Sequence, residues 1–187
     1  MIQLPLYKIC LLGDGGVGKT SLRERFLGKG FQSGYILTIG ADFAVQDLDI
    51  EGIKYKFQIW DLAGQQRFSA VRALYYKGSH GAILVFDRTR QESLINLDIW
   101  KKELFSNVGR QIPYVLLGNK SDLDNTIEQN ILDTFIERSQ SEITDIPYQI
   151  KYLDTSAKSG LNVTEAFTLL AKTIQGYIEE YRRIRAK

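Results

Sequence analysis

The stretch Gly13-Asp14-Gly15-Gly16-Val17-Gly18-Lys19-Thr20-Ser21 limits what this chain can fold into more than any other feature. Gly13 and Gly18 bracket four residues and are followed by Lys-Thr, the pattern of a loop that wraps a phosphate. An apolar run from Tyr7 to Leu12 precedes it as a buried strand, and Leu22, Phe26 and Leu27 follow it on one face of a helix. Such a loop must turn successive backbone N–H groups inward, which needs φ values and close approaches that a Cβ obstructs. The helix N-terminus adds its partial positive charge. In this frame Lys19 reaches the β- and γ-phosphates of a nucleoside triphosphate, and the Thr20 hydroxyl ligates Mg²⁺.

Length and composition agree with a single domain over 1–187, large enough to bury a core without a disulfide or metal framework. The one cysteine, Cys10, falls in the first strand and reads as a small core residue. With no signal-like segment, it suggests a reducing, cytoplasmic setting. A formal net charge of +2, with basic residues dispersed except at the C-terminus, gives no case for a nucleic-acid polymer as partner. No apolar run approaches the length of a membrane span. Met1-Ile2-Gln3 lacks the glycine that myristoylation needs, and Ile184-Arg185-Ala186-Lys187 has no cysteine to prenylate.

Further along, Phe31 to Gly40 has three glycines in or beside it and few positions that demand burial, so it reads as a mobile loop. Phe43 to Ile50 and Lys54 to Trp60 alternate and form a hairpin across Glu51-Gly52. Asp61 to Phe68 breaks the pattern and leads into a short helical stretch ending near Tyr76. Ala82 to Phe86 is a second buried strand. A helix starting at Ser93 carries Leu94, Leu97, Trp100, Lys101 and Leu104 at helical period, with Trp100 as core. Tyr114 to Leu117 is a third buried strand. A loosely defined helix at Glu128 to Ser139, a strand at Ile150 to Leu153 and a final helix over about 162–185 complete the order. That last helix bears the stripe Val163, Phe167, Leu170, Ile174, Tyr177, Tyr181 and Ile184, which needs a sheet to cover it. The expected fold is α/β: a six-stranded, mostly parallel sheet with one antiparallel edge strand and helices on both faces, the architecture of a P-loop NTPase.

Loops at the carboxyl edge of such a sheet hold the ligand, and several carry suitable groups. Asn119-Lys120-Ser121-Asp122 follows the third strand, and the Asp122 carboxylate can accept from N1–H and the exocyclic amine of guanine, a donor pair that adenine lacks. An unpaired acceptor there costs about 1–3 kcal/mol, which discriminates against ATP. In Ser156-Ala157-Lys158, the Ala157 N–H can donate to guanine O6, and the Lys120 stem can cover the ring face. Asp61 offers a carboxylate to the magnesium shell through water, Gly64 an N–H to the γ-phosphate, and Gln65 an amide that orients attacking water. Thr38 can close over the metal with its hydroxyl and bond the γ-phosphate with its N–H. Both loops thus have ligands only while the third phosphate is present.

These motifs resemble a Ras-superfamily small GTPase over nearly the whole length, and within it most resemble the Rab family. The Rab-like signatures are Ile39-Gly40-Ala41-Asp42-Phe43, Lys56-Phe57-Gln58-Ile59-Trp60, Ala63-Gly64-Gln65-Gln66-Arg67-Phe68 and Tyr75-Tyr76-Lys77-Gly78. The resemblance implies a phosphate loop at 13–21, a first switch at about 31–42 and a second at about 61–77. It implies that Phe31 packs against guanine, that Tyr35 closes over the phosphates, and that Phe43, Trp60 and Tyr76 form a patch read by effectors. It also implies an exchange factor and an activating protein that supplies an arginine. Such an arginine is worth roughly 10³ to 10⁵ in rate. Since 31–40 contains none, slow intrinsic turnover is expected; Arg67 and Arg72 are the arginines weighed for a role in cis, with solvent- or partner-facing roles preferred.

The chain departs from the Rab pattern at Gln66, where glutamate is usual, and at Leu62, where threonine is usual, while Gly15 stands where Rab proteins often carry serine. The interval from Asp122 to Thr155 is long, and Rho-family proteins carry an extra helix there. Either a lipidated tail continues past Lys187, giving peripheral membrane association, or this is an unlipidated member of the superfamily. Two other classes stay open at this level: an interaction module that holds nucleotide without hydrolysing it, and a metabolic ATPase or kinase.

Overall fold

A central sheet whose middle strands are covered on both faces organises the molecule. The computed structural model describes residues 5–32, 34 and 38–186. Within them the elements are β1 (Leu6–Leu12), α1 (Lys19–Phe26), β2 (Ala41–Ile50), β3 (Ile53–Leu62), α2 (Ser69–Tyr76), β4 (Gly81–Asp87), α3 (Gln91–Ile95), α4 (Leu97–Val108), β5 (Tyr114–Asn119), α5 (Gln129–Ser141), β6 (Lys151–Asp154) and α6 (Val163–Arg185). The strand order is β2-β3-β1-β4-β5-β6, with β2 antiparallel to β3 and every other pairing parallel. This is the expected sheet, and residues 1–4, 33, 35–37 and 187 lie outside the description.

Period-two alternation sorts the apolar residues of the inner strands into two cores. Ile9, Leu11, Ile83, Val85, Val115 and Leu117 face Leu22 of α1 and Phe167, Leu170 and Ile174 of α6. Cys10, Leu12, Ala82, Leu84, Tyr114 and Leu116 face Leu94, Leu97, Trp100 and Leu104, together with Leu132 and Phe135 of α5. Burial pushes the Cys10 thiol up to about 11, so it behaves as the small core residue expected of it. The β2–β3 turn uses Glu51 and Gly52, both at positive φ (55° and 82°), which is the backbone twist a two-residue hairpin loop requires.

Three expectations change in detail. The helix expected from Ser93 is two helices, α3 and α4, broken at Asn96. The long interval after Asp122 contains one helix, α5, and then β6, so the extra Rho-type helix is absent from it. The α6 stripe is covered only as far as Tyr177; Ile184 is 48% exposed because the helix has run past the sheet.

The Phe26 and Phe167 rings stack at 3.8 Å between centroids and fasten α1 to α6 beneath the phosphate loop. Truncating a fully buried ring of this kind leaves a cavity costing about 3–5 kcal/mol. Phe167→Ala is expected to lower the unfolding free energy measured by urea titration accordingly, whereas Ile184→Ala should change it by less than about 0.5 kcal/mol. Comparable losses in the two variants would show that α6 is held by contacts other than this stack.

Candidate functional site

The loop after β1 is shaped from outside. At Gly13 (φ 139°) an added Cβ would lie 2.1 Å from the Val85 carbonyl oxygen, and at Gly18 (φ 100°) 2.3 Å from Asn119 Nδ2. Neither position has room for a side chain. Asn119 Nδ2 donates to the Val17 carbonyl at 2.8 Å, so the segment expected to meet the base also braces the phosphate loop. Asp14, expected among the nucleotide-binding residues, turns its carboxylate away to accept from Asn96 Nδ2 (2.8 Å) and Trp100 Nε1 (2.9 Å). Its side chain is a strut, and Trp100 is core, as expected, with its N–H spent on that strut.

Lys19 Nζ lies inside the loop, donating to the carbonyls of Gly13 (2.6 Å) and Asp14 (3.0 Å). Burial lowers its ammonium to about 8, against the opposing pull of Asp61 and Asp14. A buried cation held only by neutral carbonyls is electrostatically incomplete, and phosphate oxygens would complete it.

Three oxygens converge beside it. Thr20 Oγ1 donates to Asp61 Oδ2 at 2.6 Å and lies 2.9 Å from Thr38 Oγ1, while Thr38 Oγ1 is 3.5 Å from the same carboxylate oxygen. Asp61 is fully buried, its carboxyl raised by that burial, and its Oδ1 has no partner. Two oxygens on adjacent vertices of an octahedron of radius about 2.1 Å stand about 3 Å apart, so the two hydroxyls are spaced as Mg²⁺ ligands. No group of three or more His, Cys, Asp or Glu gathers among the described residues. An ion here would rest on hydroxyls, one carboxylate and ligand oxygens, which suits magnesium carried with a phosphate.

The second loop is fixed from below by a buried arginine, Arg72, for which a solvent- or partner-facing position was expected. Arg72 is fully buried: Nε and Nη2 grip Glu103 at 2.7 Å each, and Nη1 donates to the carbonyls of Ala63 (2.9 Å) and Gln65 (2.7 Å). Arg72 is thus neither solvent-facing nor free to act on a ligand. Arg67 is exposed and lies over the Phe68 ring. Gly64 abuts the phosphate loop so closely that a Cβ would sit 2.5 Å from Gly15 N and 2.6 Å from Lys19 Nζ. The Gln65 side chain is half-buried beside it. The Ala63 N–H donates to the Gly40 carbonyl at 2.9 Å, joining the root of this loop to the root of the other.

At the base end, Ser156 Oγ donates to Asp122 Oδ1 at 2.7 Å, and Lys158 Nζ lies 3.8 Å from Oδ2, so both orient the carboxylate. The Ala157 N–H, expected to be available to guanine O6, donates to Asn119 Oδ1 at 3.2 Å, a long bond that a base oxygen would have to share or displace. Lys120 has positive φ (67°) and pairs with Asp87 at 2.7 Å. Burial works to raise the Asp87 carboxyl, but Lys120 and Thr89 outweigh it and hold it below the usual range.

A cavity of about 980 Å³ joins these parts. Gly15, Gly16, Gly18, Lys19, Thr20, Ser21, Phe31, Thr38, Gly64, Asn119, Lys120, Asp122, Ala157 and Lys158 line it. Of the other expected residues, Gly13, Asp14, Val17, Asp61, Gln65 and Ser156 stand behind or beside the lining, and Tyr35 lies outside the described residues. Phe31 is partly exposed at the mouth.

The aromatic patch needs correction by one residue. Phe43 stacks on Trp60 at 5.1 Å, and the third ring is Tyr75, 5.0 Å from Trp60. Tyr76 is fully buried and donates to Glu103 at 2.8 Å. Phe68, Arg72 and Tyr76 are spaced four apart, the one sequence signal that could have placed Arg72 and Tyr76 on the inner face of α2. Removing one member of a buried ion pair costs about 3–5 kcal/mol. Arg72→Met is therefore expected to lower unfolding free energy by about that much in urea titration, and a loss below about 1 kcal/mol would contradict the bracing role.

With this geometry in place, similarity to known proteins can be set beside it. A family model described as the Ras family matches residues 8–176. The Ras-related protein Rab-13 of Rattus norvegicus is 42% identical over 169 residues, spanning 90% of this chain and 80% of that protein. The Ras-related protein Rab-8B of Homo sapiens is 40% identical, spanning 90% of this chain and 78% of its own. The Ras-related protein Rab-8 of Diplobatis ommata is 39% identical, spanning 90% and 77%. A phosphate loop braced by the base-side asparagine, two threonines meeting one buried aspartate, and this breadth of identity agree: the chain belongs to the Ras family and is a Rab-like small GTPase.

Proposed function

We propose that this GTPase holds GTP and Mg²⁺ in the cavity between the phosphate loop and Asp122, hydrolyses GTP with water oriented by Gln65, and recruits partners only in the triphosphate form. The observation that carries this is the meeting of Lys19, Thr20, Thr38, Asp61 and Gly64 around one point at the end of β1. In the bound state Lys19 and the loop amides neutralise charge developing on the phosphates. The Thr20 and Thr38 hydroxyls, with Asp61 behind them, would hold Mg²⁺, which would supply a further positive centre for the phosphate charge. The Gly64 N–H and Gln65 amide present donors and acceptors to the γ-phosphate and the attacking water. Asp122, held by Ser156, selects guanine.

Loss of the γ-phosphate removes the partner of both Thr38 and Gly64, and the surface between them changes with it. That surface carries Phe43, Trp60 and Tyr75 beside the exposed apolar residues Ile39 and Leu74. Rings of this size next to nucleotide-sensing loops suit effector anchoring. By likeness to its Rab relatives, the protein acts inside the cell on vesicle or membrane traffic, with an exchange factor and an activating protein as regulators. No helix among the described residues is long and apolar enough to cross a membrane.

Calorimetry with GDP, GTP and ATP tests the base assignment: tight binding of both guanine nucleotides and none of ATP is expected. Asp122→Asn should move preference toward xanthine nucleotides, and an unchanged guanine preference would refute the role given to that carboxylate. For turnover, Gln65→Leu is expected to reduce single-turnover phosphate release by about tenfold or more, a loss of water orientation. Equal release by both proteins would remove Gln65 from the chemistry.

A further inference from the structure

Arg90, at the start of α3, reaches the phosphate loop from a fixed base. Its N–H donates to the Asp87 carbonyl at 2.9 Å, and its own carbonyl accepts from Ser93 N–H at 3.0 Å and Ser93 Oγ at 2.6 Å. From there the exposed side chain crosses to the loop, and Nη2 donates to the Gly15 carbonyl at 3.1 Å. Gly64 touches Gly15 as well, since its Cβ would lie 2.5 Å from Gly15 N. The guanidinium and the residue preceding Gln65 therefore share one neighbour.

The surroundings distinguish Arg90 from the arginines near the site that are held by carboxylates; Arg25 also rests on a carbonyl, but on that of Ser159 at 2.9 Å, away from the phosphate loop. Arg72 is committed to Glu103, Arg23 to Glu24 and Asp42, and Arg88 to Asp154. Arg90 has only a neutral carbonyl as partner among the described residues. A guanidinium bonded to a carbonyl on the rim of a polyanion site can exchange that carbonyl for a phosphate oxygen at little cost, and charged acceptors bond it more strongly.

We propose that Arg90 is a catalytic arginine supplied in cis. This rests on the GTPase reading above and deepens it. With GTP bound, its guanidinium donates to oxygens of the β- and γ-phosphates. Water attacks the γ-phosphorus, the bond to the β–γ bridging oxygen breaks, and its electron pair stays on the β-phosphate of GDP. The protons of the water leave with the inorganic phosphate and the solvent. Arg90 stabilises the charge that gathers on the bridging oxygen in the process.

The test uses the full chain with Mg²⁺ and no partner protein, comparing wild type, Arg90→Ala and Arg90→Lys. Three quantities are read: single-turnover GTP hydrolysis, GTP and GDP affinity, and formation of a complex with GDP and aluminium fluoride, which mimics the transferring phosphoryl group. Arg90→Ala is expected to slow hydrolysis by about tenfold or more with affinities within about threefold, and Arg90→Lys to recover only part of the rate. Wild type should form the fluoride complex unaided and Arg90→Ala should not. Hydrolysis by Arg90→Ala within about twofold of wild type, or a loss no larger than its loss of GTP affinity, overturns the proposal and leaves the GTPase reading standing. A wild type that binds no GTP overturns both.

Discussion

Everything at this site depends on a loop held in an anion-ready shape by contacts made outside it. Asn96 and Trp100 hold Asp14, Asn119 holds Val17, and the Val85 carbonyl closes the space over Gly13. The loop is therefore organised by the ends of β4 and β5, by Asn96 and by α4 before any ligand arrives, and ordering it need not be drawn from binding energy. Because Asn119 donates to Val17 and accepts from Ala157, one side chain ties the phosphate loop to the 156–158 loop.

The site concentrates charge that the folded chain only partly balances. Arg72 has a matched carboxylate in Glu103, but Lys19 faces carbonyls, two nitrogens of Arg23 and one oxygen of Asp61 are buried without partners, and Arg90 rests on a carbonyl. Unpaired buried polar atoms oppose stability. The unpartnered atoms of Arg23 and Asp61 lie on the side of the cavity that holds Lys19, where a ligand oxygen or ion would offset that cost.

The inner strands were legible because a strand buried on both faces has to be continuously apolar, and β1, β4 and β5 are. The loops after β1 and β5, which line the cavity, were legible as candidates because each follows such a strand. What the sequence hid depends on phase and on distance along the chain. A single 3-10 turn at Gln66–Phe68 precedes α2 and sets which of two adjacent tyrosines faces inward, so sequence spacing alone does not separate Tyr75 from Tyr76. The carboxylate partner of Arg72 is 31 positions away and the contact of Arg90 is 75 positions away, beyond the reach of any local pattern. The Ala157 N–H has a protein acceptor, a competition that no linear motif records.

The bond between the Ala63 N–H and the Gly40 carbonyl lies immediately past the last β2–β3 rung, Ala41 with Leu62. Ten paired rungs lie behind it, so the strands cannot slide past one another to absorb a displacement. The two loops consequently spring from a common stem, and Gly40, at φ 76°, is the swivel on one side of it. A displacement imposed at the root of either loop is therefore passed to the other root through that bond rather than absorbed by sliding of the strands.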